Sequence, residues 1–387
     1  MTGPQHLLRR GDAGPRVAAL RELLDRAGAG GAAARQGEEE LFDGALEQVV
    51  RAFQQDRGLR ADGVVGPQTS RAVDGARWRL GDRVLRFVPG HLIHGDDVSA
   101  LQDRLLALGL LDDRRDGRYG PRTEAGVREL QRSTGTAVDG VLGPETLEAL
   151  RRLDRSVGGG DASALRDAER TAQARRRPSG RVVLVDPAHG GADLGSVGHG
   201  LDEAAVVLDL AQRLEGRLAA AGTTAVLSRG AEQRPAPEER AELAESVGAD
   251  VVVSLHCDAL VRPGADGAVP GSPAAGLATF SWGSGPSRSA EGARLAGLVH
   301  RELLARTDLA DCRTHTWNTD VLRMTRMPAV RVELGYLTSP DDAARLADPA
   351  FRDRCAQALA AAVHRFFLPD DEDVPTGVLP VVAAPGG

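Results

Sequence analysis

The chain has 387 residues, enough for two or three domains of ordinary size. An apolar fraction of 42% and a charged fraction of 27% suit a water-soluble protein, and a net charge of -7 argues against a general nucleic-acid binder. Three widely separated cysteines without a CxxC pair argue against a disulfide framework, and no run approaches the ~18 apolar residues of a membrane span.

The N-terminus, MTGPQHLLRRGDAG, has no apolar core of about 7–15 residues and no small-residue cleavage site. Read literally, this places the protein in the cytoplasm; an export signal upstream of the given start would place it in the cell wall instead. An internal repeat follows. Phe53 to Val73 echoes Leu130 to Leu150: Asp62-Gly63 aligns with Asp139-Gly140, Gly66-Pro67 with Gly143-Pro144, and Thr69 with Thr146. Upstream, Gly11 to Leu24 echoes Gly95 to Leu106. Each copy predicts three short helices, the last opening on a proline inside its first turn. The copies span 5–82 and 88–153, and Gly28 to Glu40 in the first reads as a surface loop. These motifs resemble the peptidoglycan-binding domain type 1, a small all-α module. The resemblance implies a peptidoglycan ligand, although such modules also serve as plain contact surfaces. Tyr119, Arg118 and Arg122 are candidates to meet it, with a solvated loop as the alternative.

Residues 154–180, with GGG and RRRPSG, read as a linker. From Arg181 strands and helices alternate. Strands are expected at RVVLVD, TTAVLS, DVVVSLH, GLATFSW and AVRVELGY, and helices at Glu203 to Gly222, APEERAELAESVGA, up to about Arg306, and Ala350 to Phe367. That order predicts an α/β three-layer sandwich around a mostly parallel sheet over 181–368. The tail, 369–387, is rich in proline and glycine and is expected to be disordered.

Three strands carry polar residues at or near their C-terminal ends: His189 after the first, His256 on the third, Glu333 within the last. Ligands of open α/β sheets bind outside those ends. Glu203 opens the helix after the His189 loop. Two histidines and a glutamate with an open fourth position form a common catalytic zinc set. Glu333 is then the group that takes a proton from water and returns it to a leaving amine. A second account pairs Glu333 with Arg331, which alternation places on the same side of the strand. His199 and His315 are second-choice ligands, and Cys257 should face the core.

VDPAHGGADLGSVG, DEAAVVLDLAQRL, SLHCDA and MPAVRVELGYLTSPDDA, in that order, resemble the zinc-dependent N-acetylmuramoyl-L-alanine amidases of the amidase type 3 family. The resemblance covers about Arg181 to Phe367. It implies Zn2+ on His189, Glu203 and His256, and Glu333 as the catalytic carboxylate. The implied reaction is hydrolysis of the amide between N-acetylmuramic acid and L-alanine, on peptidoglycan or a muramoyl-peptide precursor. Three positions depart from the family's habit: Ala188 for glycine, Asp258 for asparagine, and Arg331 for an aliphatic residue, a cation that would weaken Glu333 as a base.

The whole arrangement, with AFQQDRGL, RLEGRLAAAG, LRMTRMPAV and a C-terminal PTG, is similar to a narrower group, the CwlM-type proteins of actinobacteria. That likeness implies a cytoplasmic regulator. A membrane Ser/Thr kinase would phosphorylate Thr376, and the protein would activate the UDP-N-acetylglucosamine enolpyruvyl transferase of precursor synthesis.

Overall fold

The computed structural model describes residues 7–29, 38–111, 115–154, 171–172, 180–260, 274–284 and 287–368. Most of the 154–180 linker, the whole 369–387 tail and part of the Gly28–Glu40 insertion lie outside them. The chain divides into two compact units, one holding the helical repeats and the other the sheet.

In the first unit each repeat contributes three helices: α1 (Pro15–Arg26), α2 (Gly44–Asp56) and α3 (Pro67–Ala76), then α4 (Asp96–Ala107), α5 (Pro121–Thr134) and α6 (Pro144–Asp154). Each has its own apolar core. Val17, Leu24, Leu46, Val50 and Phe53 lie in the first, and Val98, Leu101, Leu105, Val127, Leu130 and Leu150 in the second. The repeated D-G-x-x-G-P-x-T turn is organised from below by a buried glutamine. Gln131 Nε2 lies 2.7 Å from Asp139 Oδ1, 3.1 Å from the Val141 carbonyl and 3.1 Å from Thr146 Oγ1, while Oε1 accepts the Gly140 N–H at 2.9 Å. Gln54 repeats this on Asp62, Val64, Thr69 and Gly63. Gln102 does so a third time, on Asp116, Arg118, Thr123 and Gly117, within a copy of the motif (DGRYGPRT) that the repeat alignment misses. Tyr119 in that copy is no ligand contact. It is fully buried in the second core, and its hydroxyl donates to the Gly140 carbonyl at 2.8 Å.

The second unit is the expected three-layer sandwich. Its strands are β1 (Val182–Pro187), β4 (Thr224–Leu227), β5 (Val251–Asp258), β6 (Leu277–Ser284), β7 (Ser287–Arg288), β8 (Asp311–Trp317) and β9 (Ala329–Tyr336), and β2 (Val197–Gly198) with β3 (Leu201–Asp202) make a separate small hairpin. The sheet order is β4-β1-β5-β9-β6-β7, with β8 also on β6. Pairs β1–β4, β1–β5, β5–β9 and β6–β8 are parallel, and β6–β9 is antiparallel. Strand β8 is absent from the sequence reading because DCRTHTW is mostly exposed and shows no apolar alternation. Helices α7 (Glu203–Ala220), α9 (Ala290–Arg306) and α12 (Pro349–Phe366) cover one face, sharing a core with Val183, Val253, Leu255, Val330 and Val332. Helices α8 (Pro237–Ser246) and α10 (Asp320–Met324) cover part of the other, over Leu184, Val252, Trp282 and Ala329. A further helix, α11 (Pro340–Ala347), follows β9. Among the described residues no helix is long and apolar enough to cross a membrane.

The glutamine network yields a stability test. Gln131→Leu strands several buried backbone groups, so the second repeat should lose about 1–3 kcal/mol. Faster amide hydrogen exchange at Gly140 and Val141, with β5 amides unchanged, is the expected result.

Candidate metal centre

Strand β1 ends at Pro187, and the chain turns at once. His189 has φ 57°, in the left-handed region that a non-glycine residue seldom occupies. The turn is held by buried arginines. Arg229 donates to the carbonyls of Pro187, Ala188 and Ala204, and Arg240 donates to Pro187 and His189. The His189 ring is oriented by Asp193, whose Oδ2 lies 3.0 Å from Nδ1, with Arg234 3.1 Å from the same oxygen. This leaves Nε2 facing Glu203 Oε2 at 3.2 Å. A carboxylate behind a histidine in this way fixes the ring and its tautomer for metal binding.

Glu203 is the first residue of α7, whose N-cap is Asp202. It is 2% exposed. Oε1 accepts the Cys257 N–H at 3.1 Å, and Oε2 accepts the Ser196 N–H at 2.9 Å. Burial pushes its carboxyl pKa up, but the protonated forms of His189 and His256 outweigh that and hold it well below the ordinary range. The loop reaches it only because residue 195 is glycine. A Cβ there would lie 2.6 Å from Glu203 Oε2 and 2.6 Å from His189 Cδ2.

His256, near the end of β5, is fixed from behind by a chain of hydrogen bonds. Its Nε2 lies 3.2 Å from Ser254 Oγ, which lies 2.7 Å from Asp186 Oδ2. Asp186 also accepts from Ser228 Oγ at 2.6 Å and pairs with Arg240. Burial opposes its ionisation, yet Arg240 and the two serines keep its carboxyl below the usual range. The single Ser254 hydroxyl proton goes to that carboxylate, the stronger acceptor. Ser254 Oγ therefore accepts the His256 Nε2–H, and Nδ1 is left bare, 3.0 Å from Glu203 Oε1. Two lone pairs that close need a cation between them. A proton is a poor one here, because burial and then the Arg331 charge push the His256 imidazole pKa down. The donor set fits a divalent metal. One ligand atom from each of His189, Glu203 and His256 lies within 4.8 Å of the others, and among the described residues this is the one such group of three.

Glu333 sits beside this cluster, since His256 and Glu333 are register partners on β5 and β9. Of the two sequence accounts of Glu333, the ion pair with Arg331 is present, and it engages one oxygen of the carboxylate. Arg331 Nε and Nη2 reach its Oε1 at 2.8 and 2.5 Å, while its Oε2 is buried with no hydrogen-bond partner. The Arg331 guanidinium lies 4.8 Å from the centre of the Trp317 ring. His199 is exposed in the β2–β3 turn. His315 is exposed, its Nε2 2.6 Å from the Cys312 carbonyl. Neither joins the cluster. Cys257 packs in the core as expected, and Thr376 lies outside the described residues. Asp186, Asp193 and Ser254 are the supporting residues that the sequence reading passes over. The signal for two of them is there: VVLVDP carries Asp186 and VVVSLH carries Ser254 ahead of His256 in otherwise apolar strands, and Asp186 and Ser254 are register partners.

Removing an orienting partner costs roughly 10–100-fold in metal affinity. Ser254→Ala should weaken Zn2+ binding by about that factor in a competition titration against a chromophoric chelator, and unchanged affinity would remove Ser254 from this role. A pH dependence follows from His189. Burial disfavours its cation, but Glu203 and Asp193 more than compensate and raise its pKa above 6.5. Below that raised value the metal must displace a proton, so affinity should fall as pH drops through it.

The N-acetylmuramoyl-L-alanine amidase family pattern matches residues 183–365, and the peptidoglycan binding domain pattern matches 13–73 and 94–150. The N-acetylmuramoyl-L-alanine amidase CwlM of Mycobacterium tuberculosis is 41% identical over 343 residues, which is 87% of this chain and 82% of that protein. The amidase LytC of Bacillus subtilis is 33% identical over 180 residues, 46% of this chain and 34% of that protein. The solved amidase AmiC2 of Nostoc punctiforme is 31% identical, covers 49% of this chain and 98% of its own, and gives a TM-score of 0.43. The chain belongs to the N-acetylmuramoyl-L-alanine amidase family, with two peptidoglycan-binding domains preceding the amidase domain.

Proposed function

We propose that this chain hydrolyses the amide between the lactyl group of N-acetylmuramic acid and the L-alanine of the stem peptide, with Zn2+ held by His189, Glu203 and His256. The observation that carries this reading is the convergence of those ligand atoms beside Glu333, on the strand next to His256. A zinc ion bound there supplies Lewis-acid polarisation of the amide carbonyl and acidifies water. Every other role falls to the chain.

Glu333 Oε2 takes the proton of the attacking water and returns it to the nitrogen of the departing L-alanine. The products are a lactyl carboxylate and a free amine. Arg331 occupies Oε1 and so fixes which oxygen does this. Asp193 holds His189, and the Asp186–Ser254 chain holds His256, so that neither imidazole rotates during turnover. The two helical domains support a substrate of peptidoglycan chemistry, whether polymer or soluble muramoyl peptide.

Two variants separate the roles. Glu333→Gln should bind Zn2+ normally yet lose about a hundred- to ten-thousand-fold in release of L-alanyl peptide from a soluble muramoyl peptide. His256→Ala should lose the metal itself. Full hydrolysis by the zinc-loaded Glu333→Gln protein, or hydrolysis indifferent to a chelator, would overturn the assignment.

A further inference from the structure

Arg331 has more donors than Glu333 uses. Its Nε and Nη2 both go to Glu333 Oε1, and among the described residues its Nη1 has no hydrogen-bond partner. It is also the more exposed of the pair, at 21% against 6% for the glutamate side chain. The sheet register explains where it sits. Ser254, Arg331, Phe280 and His315 form one row across β5, β9, β6 and β8, so all four lie on the face that carries Glu333. On that face Trp317 lies 4.8 Å from the guanidinium and 4.9 Å from Phe280, and Phe280 lies 5.5 Å from His315. The half-buried Phe280 and Trp317 and the exposed His315 make an aromatic shelf, with one cation at its edge and the proposed proton acceptor behind that cation.

An arginine stacked on a ring, with a donor edge free, is built to bind a planar anion. Position sets which anion. Arg331 Nε and Nη2 contact Glu333 Oε1, so an anion on the remaining Nη1 edge lies across the guanidinium from the glutamate, roughly two ion-pair lengths or about 7 Å from its carboxyl carbon. A carboxylate two residues along an extended peptide from the scissile amide lies roughly 7 Å away. We infer that Arg331 is a specificity-determining residue that recognises a carboxylate on the second residue of the stem peptide, with the shelf of Phe280, Trp317 and His315 beside it. This rests on the amidase reading for the direction of the substrate, and it goes beyond that reading by naming the substrate group selected.

The test uses peptides with no muramoyl amide to cleave. The γ-methylamides of L-alanyl-D-glutamate and L-alanyl-D-isoglutamine, in which the γ-carboxyl is blocked as it is by the next amide of the stem peptide, differ only in an α-carboxylate against an α-carboxamide at the second residue. Calorimetric titration into the zinc-loaded full chain should show the acid binding about ten-fold more tightly, as for one charge-assisted contact. Arg331→Leu should bring the ratio to about one with the zinc content unchanged. Arg331→Lys, which keeps the charge but not the planar fork, should give an intermediate ratio and serves as the deciding variant if the leucine protein does not fold. A wild-type ratio near one, or a preference that survives in either variant at its wild-type size, would overturn the inference. Hydrolysis of the matching muramoyl dipeptides, run in parallel, separates the two readings. Discrimination without cleavage of either would sink the amidase assignment and leave the subsite, and cleavage without discrimination would do the reverse.

Discussion

A buried carboxylate must be neutralised where it lies, and the second unit is arranged around that constraint at Glu203. The residue is 2% exposed, yet its carboxyl is held well below the ordinary range, with two backbone N–H groups donating to it and two imidazoles facing it. Those four partners come from the loop after β1, from β5 and from the residue after His256. The start of α7, the end of β5 and the glycine at 195 therefore have to agree in position to within about a hydrogen-bond length. None of the three elements places a charge well by itself. Parallel strands bring their C-terminal ends to one edge, and a helix starting beside that edge brings its first residue to the same place.

The bond network behind the ligands follows from the same low dielectric. A histidine buried next to an acid settles into the tautomer that its far nitrogen dictates. Asp193 does this for His189 from solvent's side, and Asp186 does it for His256 from within the sheet, through Ser254. Asp186 can stay ionised there because Arg240 arrives from α8. The candidate metal centre thus depends on a helix that packs on the opposite face of the sheet from α7.

Much of this was legible in the sequence, and the part that was not has a physical cause. Continuous apolar runs marked β1, β5 and β9, because strands covered on both faces cannot carry polar side chains without partners. The polar residues inside them, Asp186, Ser254, His256, Arg331 and Glu333, are therefore informative, and the sequence singles out His256, Glu333 and its neighbour Arg331. Ser254 and Asp186 look alike as isolated polar residues, and their connection appears only when β1 and β5 are placed side by side. Strand β8 carries no apolar signal because one face is largely open, and with it Trp317 was lost as a neighbour of Arg331. In the first unit the aligned repeat was clear over Asp62-Gly63 and Asp139-Gly140. The third copy at Asp116-Gly117 was hidden because it lies inside a repeat rather than between repeats. Buried Gln102 shows that it is the same turn, built from the same bonds.

Arg331 is the departure from family habit that the geometry resolves. A cation beside a general base weakens it if it takes the oxygen that must receive the proton. Here both donors converge on Oε1, and the ring of Trp317 lies against the guanidinium. A guanidinium so held is not free to swing across both oxygens. Oε2 stays without a donor although it is buried, a state that is unfavourable unless something with a proton comes to it. The ion pair and the proposed catalytic role are then compatible in one arrangement: the arginine fixes the carboxylate's orientation through one oxygen, and the second oxygen is left for the proton transfer proposed above.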